Sequence, residues 1–402
     1  MTRLKNLRRV NCVSSKIINM KFYPLAKPYI TAKDKASVLE VLNTNYLSLG
    51  PKLSEFEKKF AKKLGVKYAC AVSSGTAGLH LSMLAVGIGA GDEIITTPFS
   101  FVASANSILC VGAKPVFVDI NPLTYNLDPA KIKEKITSLP ADRRKKLKAI
   151  LVVHIFGQCC DMGAIQRLAS KYKLLIIEDA CESIGAAYKG KLAGTFGQAG
   201  VFAFYPNKQM TTGEGGMIVT NSKKIYEICN SLKNQGRAKN DQWLNHKSLG
   251  YNYRLDEMSA ALGISQLEKL DFMIRKRRQI AAWYNEILKP YDDIVQSPMT
   301  AAVNTHSWFL YVIKIKNKKI DRDLLIANLK KAGVSSKQYL PSIHLFDFYK
   351  KLFGYKKGDF PVSENVSGHS LALPIYLGLT RRDCEYIIHK LIAEIKNLND
   401  AG

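Results

Sequence analysis

Short apolar runs alternate with amphipathic stretches through the first half of the chain. Residues 68–72, 149–154 and 174–179 have the length and the composition of buried strands. Residues 77–86 and 161–172, which follow two of these runs, are predicted as helices. Apolar strands that alternate with helices are typical of α/β proteins, so this pattern predicts a mostly parallel sheet sandwiched by helices.

The pattern changes in the second half of the chain. A long helix that ends near residue 288 is followed by mixed strands at 308–315 and 334–340 and by a closing helix at 382–398. This succession predicts a smaller α+β domain. We therefore predict three parts: a basic, disordered N-terminal extension (1–20), a large α/β domain (21–255), and a connecting helix with a small C-terminal domain (256–402).

The composition is that of a globular protein. Of the 402 residues, 47% are hydrophobic and 23% are charged, and no apolar run approaches the roughly 20 residues that span a bilayer. The eight cysteines form no C-x-x-C pair, and the seven histidines have no metal-ligand spacing. Residues 1–20 are basic and lack the apolar segment of a secretory signal. These features predict a cytoplasmic protein without a metal site.

The formal net charge of +26 raises the question of a nucleic-acid partner. The lysines are spread over the whole chain, however, and runs such as 143–148 and 275–278 are predicted on exposed helix faces. No helix-turn-helix, zinc-finger or RNP-like pattern accompanies them. A nucleic-acid role is therefore disfavoured, and the charge is expected to attract anionic substrates.

Candidate chemistry lies at the ends of three predicted strands. Ser73-Ser-Gly-Thr76 joins a strand to a helix, an arrangement that binds phosphate. Asp179 ends another strand, and Lys208 lies in a glycine-rich turn before the strand that begins at Met217. Sites in such sheets gather at the carboxyl ends of strands, so these residues are expected to meet. Each has a structural alternative: an ordinary helix cap, a strand end or a solvated charge.

The segment from Phe202 to Gly216 resembles the active-site segment of the DegT/StrS family of aminotransferases, which use pyridoxal phosphate (PLP) and act on keto-sugar nucleotides. The resemblance extends from about residue 22 to about residue 391 and implies the fold of type I PLP-dependent transferases. It implies that Lys208 carries the cofactor and that Asp179 faces the pyridine nitrogen. It also implies that Gly75 and Thr76 bind the phosphate and that Phe101 stacks on the ring. From the sequence alone, Phe101 is more typical of a core residue.

The resemblance assigns further residues to the site. Glu182 stands near the cofactor's phenolic oxygen, where many relatives have glutamine, and Ala203 replaces a serine that contacts the phosphate. The family is dimeric, with active sites shared between subunits: Asn252 is expected to reach the neighbour's cofactor phosphate, and Arg254 to bind the donor carboxylate. Tyr339 and His344 resemble a loop near the sugar.

These assignments predict an aminotransferase that moves an amino group from L-glutamate to a nucleotide-linked keto-sugar, for cell-surface polysaccharide or amino-sugar biosynthesis. A 4-keto-6-deoxyhexose is the favoured acceptor. One branch of the family replaces the lysine with histidine and acts as a dehydratase, so Lys208 favours transamination. The alternatives are a glutamine-dependent keto-inositol aminotransferase and a non-catalytic regulator that binds PLP or DNA.

Overall fold

The computed structural model of the protein describes residues 21–237 and 245–400. The extension at 1–20 and part of the loop at 235–249 therefore lie outside the described residues. The strands, in chain order, are β1 (Tyr68–Val72), β2 (Glu93–Thr96), β3 (Lys114–Phe117), β4 (Leu147–Val153), β5 (Leu175–Asp179), β6 (Ala187–Tyr188), β7 (Lys191–Leu192), β8 (Ala199–Ala203), β9 (Gly216–Thr220), β10 (Val295–Gln296), β11 (Asn304–Thr305), β12 (Tyr311–Ile315) and β13 (Ser370–Leu373).

Helices occupy most of the chain between these strands. They are α1 (Ala32–Leu42), α2 (Pro51–Leu64), α3 (Gly75–Ala85), α4 (Val102–Cys110), α5 (Pro129–Ser138), α6 (Ala141–Lys146), α7 (Met162–Tyr172), α8 (Lys223–Lys233), α9 (Glu257–Glu268), α10 (Leu270–Leu288), α11 (Arg322–Lys331), α12 (Asp347–Phe353), α13 (Pro361–His369) and α14 (Arg381–Asp400). Among the described residues, no helix has the length and apolarity needed to cross a membrane.

The central sheet has seven strands in the order β1-β9-β8-β5-β4-β2-β3. Only β9 runs against its neighbours, and the other strands are parallel in direction. The strands are almost entirely buried, because helices cover the sheet on both faces. The predicted fold class is confirmed. As a result, the carboxyl ends of β1, β5 and β8 lie at one edge of the sheet.

The C-terminal part is built around the small antiparallel sheet β10-β12-β13, against which α10, α11 and α14 pack. The apolar core of the large sheet includes residues up to Ile274, and the second core begins at Ile280 and takes in Tyr23. The change from one core to the other therefore falls within α10. The division at 255/256 remains a prediction.

Two elements of the C-terminal half differ from the prediction. The long helix is interrupted at Lys269, which separates α9 from α10. The predicted strand at 334–340 is absent: within the described residues, Val334 and Lys337 form isolated bridges, with Tyr23 and Ala372 respectively. Leu340 has a positive φ of 67° just before Pro341, a conformation incompatible with a continuous strand.

The basic run at 275–278 is only half exposed, contrary to the prediction. Arg275 and Lys276 face solvent, but Arg277 is buried at 3% exposure. Its guanidinium donates hydrogen bonds to the carbonyls of Trp308 and Phe309. Desolvation by this burial lowers the pKa of Arg277 to about 10. These bonds tie α10 to the segment that precedes β12.

Candidate active site

A cavity of about 430 Å³ opens at the carboxyl ends of β1, β5 and β8. Seven of the residues to which the sequence assigns a role in the site line it: Gly75, Thr76, Phe101, Asp179, Glu182, Lys208 and Tyr339. The expected convergence of strand ends therefore occurs in the folded chain. The other lining residues that matter below are Ser74, Ser104, Cys181, Ala203 and Asn207.

The N-terminus of α3 forms one wall of the cavity. Ser74 caps this helix, and its Oγ accepts a hydrogen bond from the amide of Ala77 at 3.1 Å. The amides of Gly75 and Thr76, the first two helical residues, have no acceptor within the helix and lie at the positive end of its dipole. A side chain at position 75 would place its Cβ 2.8 Å from Cys181 Sγ and 2.9 Å from Ala203 Cβ. Glycine therefore lets this helix end approach the sheet closely.

Asp179 lies at the end of β5 and is 6% exposed. Its Oδ2 accepts a hydrogen bond from the hydroxyl of Ser104 at 2.7 Å, and its Oδ1 accepts one from the amide of Cys181 at 3.1 Å. These two bonds fix the orientation of the carboxylate at the cavity wall. A carboxylate held in this way can stabilise a positive group in the cavity.

The residue before it, Glu178, anchors the end of β5 from the opposite face. Its buried carboxylate accepts hydrogen bonds of 2.6–2.8 Å from three backbone amides in the turn at 194–197. It also lies 3.0 Å from Nε2 of His154. The Nδ1 of that histidine accepts a bond from the amide of Cys160, so Nε2 carries the hydrogen that is donated to Glu178. This buried network holds the strand that presents Asp179.

Lys208 lies in the turn after β8, as the sequence predicts. Hydrogen bonds between Phe204 and the backbone of Thr212 and Gly215 close the loop that carries it. Its side chain is 14% exposed, and Nζ lies 3.6 Å from Oε1 of Glu182. The same Nζ lies 4.0 Å from the ring centroid of Phe309. The amine is thus directed into the cavity rather than into solvent.

Glu182 is a buried carboxylate beside this amine. Its Oε2 accepts a hydrogen bond from the amide of Phe156 at 2.9 Å. Desolvation raises the pKa of Glu182, and the charge of Lys208 and the Phe156 amide oppose that rise. The carboxylate therefore depends on the lysine charge for much of its stabilisation.

Two aromatic residues frame the cavity. Phe101, at the N-terminus of α4, is 66% exposed and lines the cavity. Its interpretation as a core residue from the sequence alone is therefore wrong. Tyr339 accepts a hydrogen bond from Nδ2 of Asn207 at 3.3 Å, and its burial raises the pKa of its hydroxyl above the usual range. An aromatic face and a phenol hydroxyl are thus available to a ligand.

Three candidate residues do not line the cavity of this single chain. Asn252 is exposed and pairs by its backbone with Asn234, whose Oδ1 accepts a bond of 2.9 Å from Nη1 of Arg254. From the sequence, the structural alternative for Arg254 is a surface ion pair with Asp256 or Glu257. Neither pair forms among the described residues, since the Asp256 carboxylate caps α9 and the Glu257 carboxylate accepts bonds from backbone amides at 50–53. Both Asn252 and Arg254 remain available to a neighbouring subunit.

His344 lies away from the cavity, contrary to the expectation that it approaches the sugar. It is fully buried, and its Nε2 lies 3.0 Å from Oε1 of Glu364. Desolvation lowers the pKa of this histidine, and Glu364 opposes the shift. Its ring packs against that of Phe360, the residue just before α13, so His344 has a structural role. The expectation came from the resemblance of the loop from Gln338 to His344 to a loop that the family places near the sugar.

Several residues of the site could not be predicted from the sequence. Ser104 and Phe309 contact Asp179 and Lys208 respectively, at separations of 75 and about 100 residues. Cys181 and Asn207 adjoin predicted residues and could have been found as their chain neighbours. Ser104 and Phe309 carry no local signal, because a serine in a helix is common and a phenylalanine in an apolar run is an ordinary core residue.

The sequence of this chain matches a known protein family and several of its members. Residues 28–392 match the family described as the DegT/DnrJ/EryC1/StrS aminotransferase family. The chain is 37% identical to GDP-perosamine synthase of Caulobacter vibrioides over 369 residues, covering 91% of this chain and 96% of that one. It is 36% identical to the spore coat polysaccharide biosynthesis protein SpsC of Bacillus subtilis, with 91% and 95% covered.

Solved structures agree with this placement. Helicobacter pylori PseC, an aminotransferase involved in the biosynthesis of pseudoaminic acid, superposes with a TM-score of 0.87 at 31% identity, covering 94% of this chain and all of that one. Another neighbour, described as a putative sugar aminotransferase of Streptococcus pneumoniae in its PLP form, superposes with a TM-score of 0.87 at 23% identity, covering 94% of this chain and 99% of that one. The chain belongs to the DegT/DnrJ/EryC1/StrS aminotransferase family and is an aminotransferase.

Proposed function

We propose that the protein uses PLP to transfer an amino group from L-glutamate to a nucleotide-linked keto-sugar, with a 4-keto-6-deoxyhexose as the favoured acceptor. One observation carries the proposal: Lys208, Asp179 and the N-terminus of α3 line the same cavity. The relatives support the sugar class, since their names include GDP-perosamine synthase and a polysaccharide biosynthesis protein.

The residues of the cavity fit PLP. Glycine at position 75 lets the N-terminus of α3 lie against Cys181 and Ala203 at the cavity wall, and this helix N-terminus suits the phosphate. Asp179 provides a fixed carboxylate for a protonated pyridine nitrogen, and Lys208 provides the amine for an aldehyde. When bound, the cofactor supplies an electron sink for the carbon that loses a proton.

In this proposal each residue of the cavity binds the cofactor, moves a proton or contacts the acceptor. Gly75 and Thr76 bind the phosphate by their amides, and Phe101 packs on the ring. Lys208 holds the cofactor and, once released, moves a proton at Nζ as general base and acid. Glu182 lies beside that amine and faces the phenolic oxygen. Tyr339 contacts the acceptor.

The donor and the acceptor can be tested separately. The protein saturated with PLP is incubated with L-glutamate, L-glutamine or L-aspartate, and the visible band of lysine-bound cofactor is followed. We expect L-glutamate to bleach this band and a 4-keto-6-deoxyhexose nucleotide to restore it, with the amino sugar detected by mass. Bleaching by L-glutamine and restoration by a keto-inositol would overturn the donor and acceptor assignment. No bleaching by any donor would contradict the aminotransferase proposal itself.

We further propose a homodimer in which each subunit completes the other's site. Tyr46, Leu47 and Leu49 are 65%, 47% and 54% exposed, and their loop pairs with the Asn252–Asp256 segment through the Ser48–Asp256 bridge. Leu249, just before that segment, is 83% exposed. A cluster of exposed apolar residues of this kind marks an interface. It lies next to Asn252 and Arg254, which would then reach the partner's phosphate and the donor carboxylate.

Mixing two inactive variants tests the shared site. Lys208→Ala and Asn252→Asp each impair every site of their own dimers. In hybrids of a two-fold dimer with shared sites, one site is intact, so a remixed sample is expected to regain about a quarter of the wild-type activity. If Asn252 served its own subunit, no hybrid site would be intact and activity would not return. Sedimentation of the wild-type protein as a monomer would also contradict the proposal.

A further inference from the structure

The segment from Tyr251 to Arg254 presents its side chains on two sides. Asn252 is exposed and forms a backbone β-bridge with Asn234. The rings of Tyr251 and Tyr253 stack on each other, with centroids 5.1 Å apart and an angle of 13° between their planes. Side chains alternate between the two sides of an extended backbone. The stacked tyrosines therefore occupy one side of the segment, and Asn252 occupies the other.

Helix α3 supports the side of the segment that carries the tyrosines. The ring of His80 packs edge-on against Tyr251 and Tyr253, with centroid distances of 4.7 Å and 6.0 Å. Its Nδ1 lies 3.4 Å from the hydroxyl of Tyr253. His80 is 6% exposed and belongs to α3, so its ring is a fixed platform. The aromatic trio of His80, Tyr251 and Tyr253 thus joins the segment to α3.

The backbone of the segment is held by α8 and by the end of β1. The amide of Tyr251 donates to the carbonyl of Leu232 at 2.7 Å, and the amide of Tyr253 donates to that of Lys233 at 3.0 Å. The carbonyl of Tyr253 accepts a bond of 2.9 Å from the amide of Ser73, which directly precedes the residue that caps α3. The path of the backbone is therefore fixed without any contribution from the tyrosine rings.

We propose that the aromatic trio positions Asn252 for the cofactor phosphate of the neighbouring subunit. The inference rests on the proposed function and on its shared dimer, in which Asn252 reaches that phosphate. Because Asn252 is exposed, packing on the opposite side of the segment is what holds its direction. The members of the trio are positioning residues: they lie in one subunit and act on the site of the other.

The expected effect follows from the contact that the trio positions. Replacement of Tyr253 by leucine removes the stack but leaves the backbone bonds of the segment in place. Asn252 would then point in a less defined direction, and its bond to the phosphate would be weakened or lost. A hydrogen bond to a charged group corresponds to about 10- to 100-fold in affinity. The loss should appear in the partner's site and not in the subunit's own.

Two hybrid dimers distinguish these sites. In each hybrid one subunit retains Lys208 and the other carries Lys208→Ala, so only the first subunit gives the visible band of lysine-bound PLP. Different affinity tags on the two subunits allow the hybrids to be isolated. The cofactor is then removed and titrated back. Tyr253→Leu is placed in the Lys208→Ala subunit of the trans hybrid and in the Lys208 subunit of the cis hybrid.

We expect the dissociation constant of PLP to rise about 10- to 100-fold in the trans hybrid and to remain unchanged in the cis hybrid. Asn252→Asp, placed in the Lys208→Ala subunit, should weaken PLP at least as much, because it alters the contact itself. Tyr253→Phe keeps the stack and should behave like the unsubstituted hybrid. A loss confined to the cis hybrid, an equal loss in both hybrids or no loss in either would overturn the proposal. The trio would then support its own α3, the fold as a whole or neither site.

Two further substitutions complete the test. His80→Leu removes the platform from the side of α3, and it should produce the same difference between the trans and cis hybrids if Tyr253→Leu does not fold. Tyr386→Leu is the matched control. Tyr386 also stacks on a tyrosine, Tyr23, at 5.4 Å, but it packs against the C-terminal core. Its replacement should leave the PLP affinity unchanged in both hybrids.

The titration is independent of amino transfer. If the trans hybrid alone loses affinity but no donor bleaches the cofactor band, the trio has the proposed role and the proposed function fails. If L-glutamate bleaches the band while Tyr253→Leu and His80→Leu leave the affinity of the trans hybrid unchanged, the proposed function survives and the role of the trio is excluded.

Discussion

Replacement of Lys208 by alanine is expected to reduce amino transfer by about 10⁴-fold, the upper end of the contribution of a positioned acid–base group. The amine lies in the cavity, 3.6 Å from Glu182, and we assign it both the attachment of the cofactor and the movement of the proton. The variant should also lack the absorption band of lysine-bound PLP. Both readouts are obtained from one preparation, by visible spectroscopy and by a glutamate-dependent assay of product mass.

The control for this change is another lysine-to-alanine substitution outside the cavity. Lys224 is exposed on α8, and its replacement should change neither the spectrum nor the rate. Lys208→Arg keeps the positive charge near Glu182 and is expected to be as inactive as Lys208→Ala, because a guanidinium remains protonated and cannot act as a base. Substantial turnover by Lys208→Ala would remove the basis of the proposed function.

The edge of the sheet at which the site lies could be predicted from the sequence. Apolar strands are local signals, and the carboxyl ends of parallel strands must share an edge. Asp179 and the turn at Ser74–Thr76 follow such strands directly, so their meeting required no knowledge of distant contacts. Lys208 could be added because the glycine-rich return into β9 fixes where the turn lies.

Side chains that act from a distance could not be predicted. The sequence identifies Glu178 only as a residue at the end of a strand. Its hydrogen-bond partners are backbone amides in a turn 16 to 19 residues later and His154, the residue that follows β4. Phe309 contacts Lys208 from the segment that precedes β12, and nothing in its own apolar run indicates a cavity. Tertiary contacts of this kind become visible only when the segments are brought together.

The errors in the prediction have the same origin. Arg277 was expected on an exposed face because arginine is rarely buried, but the backbone carbonyls before β12 accept its hydrogen bonds. His344 was expected near the sugar because its loop resembles one that the family places there, but after the positive φ of Leu340 the chain carries His344 into a fully buried position. Neither exception can be read from hydrophobic periodicity.

Asp179→Asn is expected to lower the rate of amino transfer by about 10²–10³-fold, the cost typical of removing one preorganised electrostatic group from an active site. The amide has nearly the shape of the carboxylate and can still accept a bond from Ser104 or Cys181, so the fold and the phosphate contacts at Gly75 and Thr76 should persist. The loss arises because a neutral amide does not keep a proton on the pyridine nitrogen. We therefore expect the PLP content and the thermal midpoint to remain near the wild-type values while the turnover falls.

A graded series separates the charge of Asp179 from its orientation. Ser104→Ala removes the hydroxyl that holds Oδ2 but leaves the charge, and its cost should be close to that of one hydrogen bond to a charged group, about 10- to 100-fold. The variant order expected from turnover at saturating donor is wild type, then Ser104→Ala, then Asp179→Asn. An Asp179→Asn protein as active as Ser104→Ala would mean that the carboxylate acts only as a scaffold for the wall of the cavity. In that case the protonation of the cofactor would have to depend on another group.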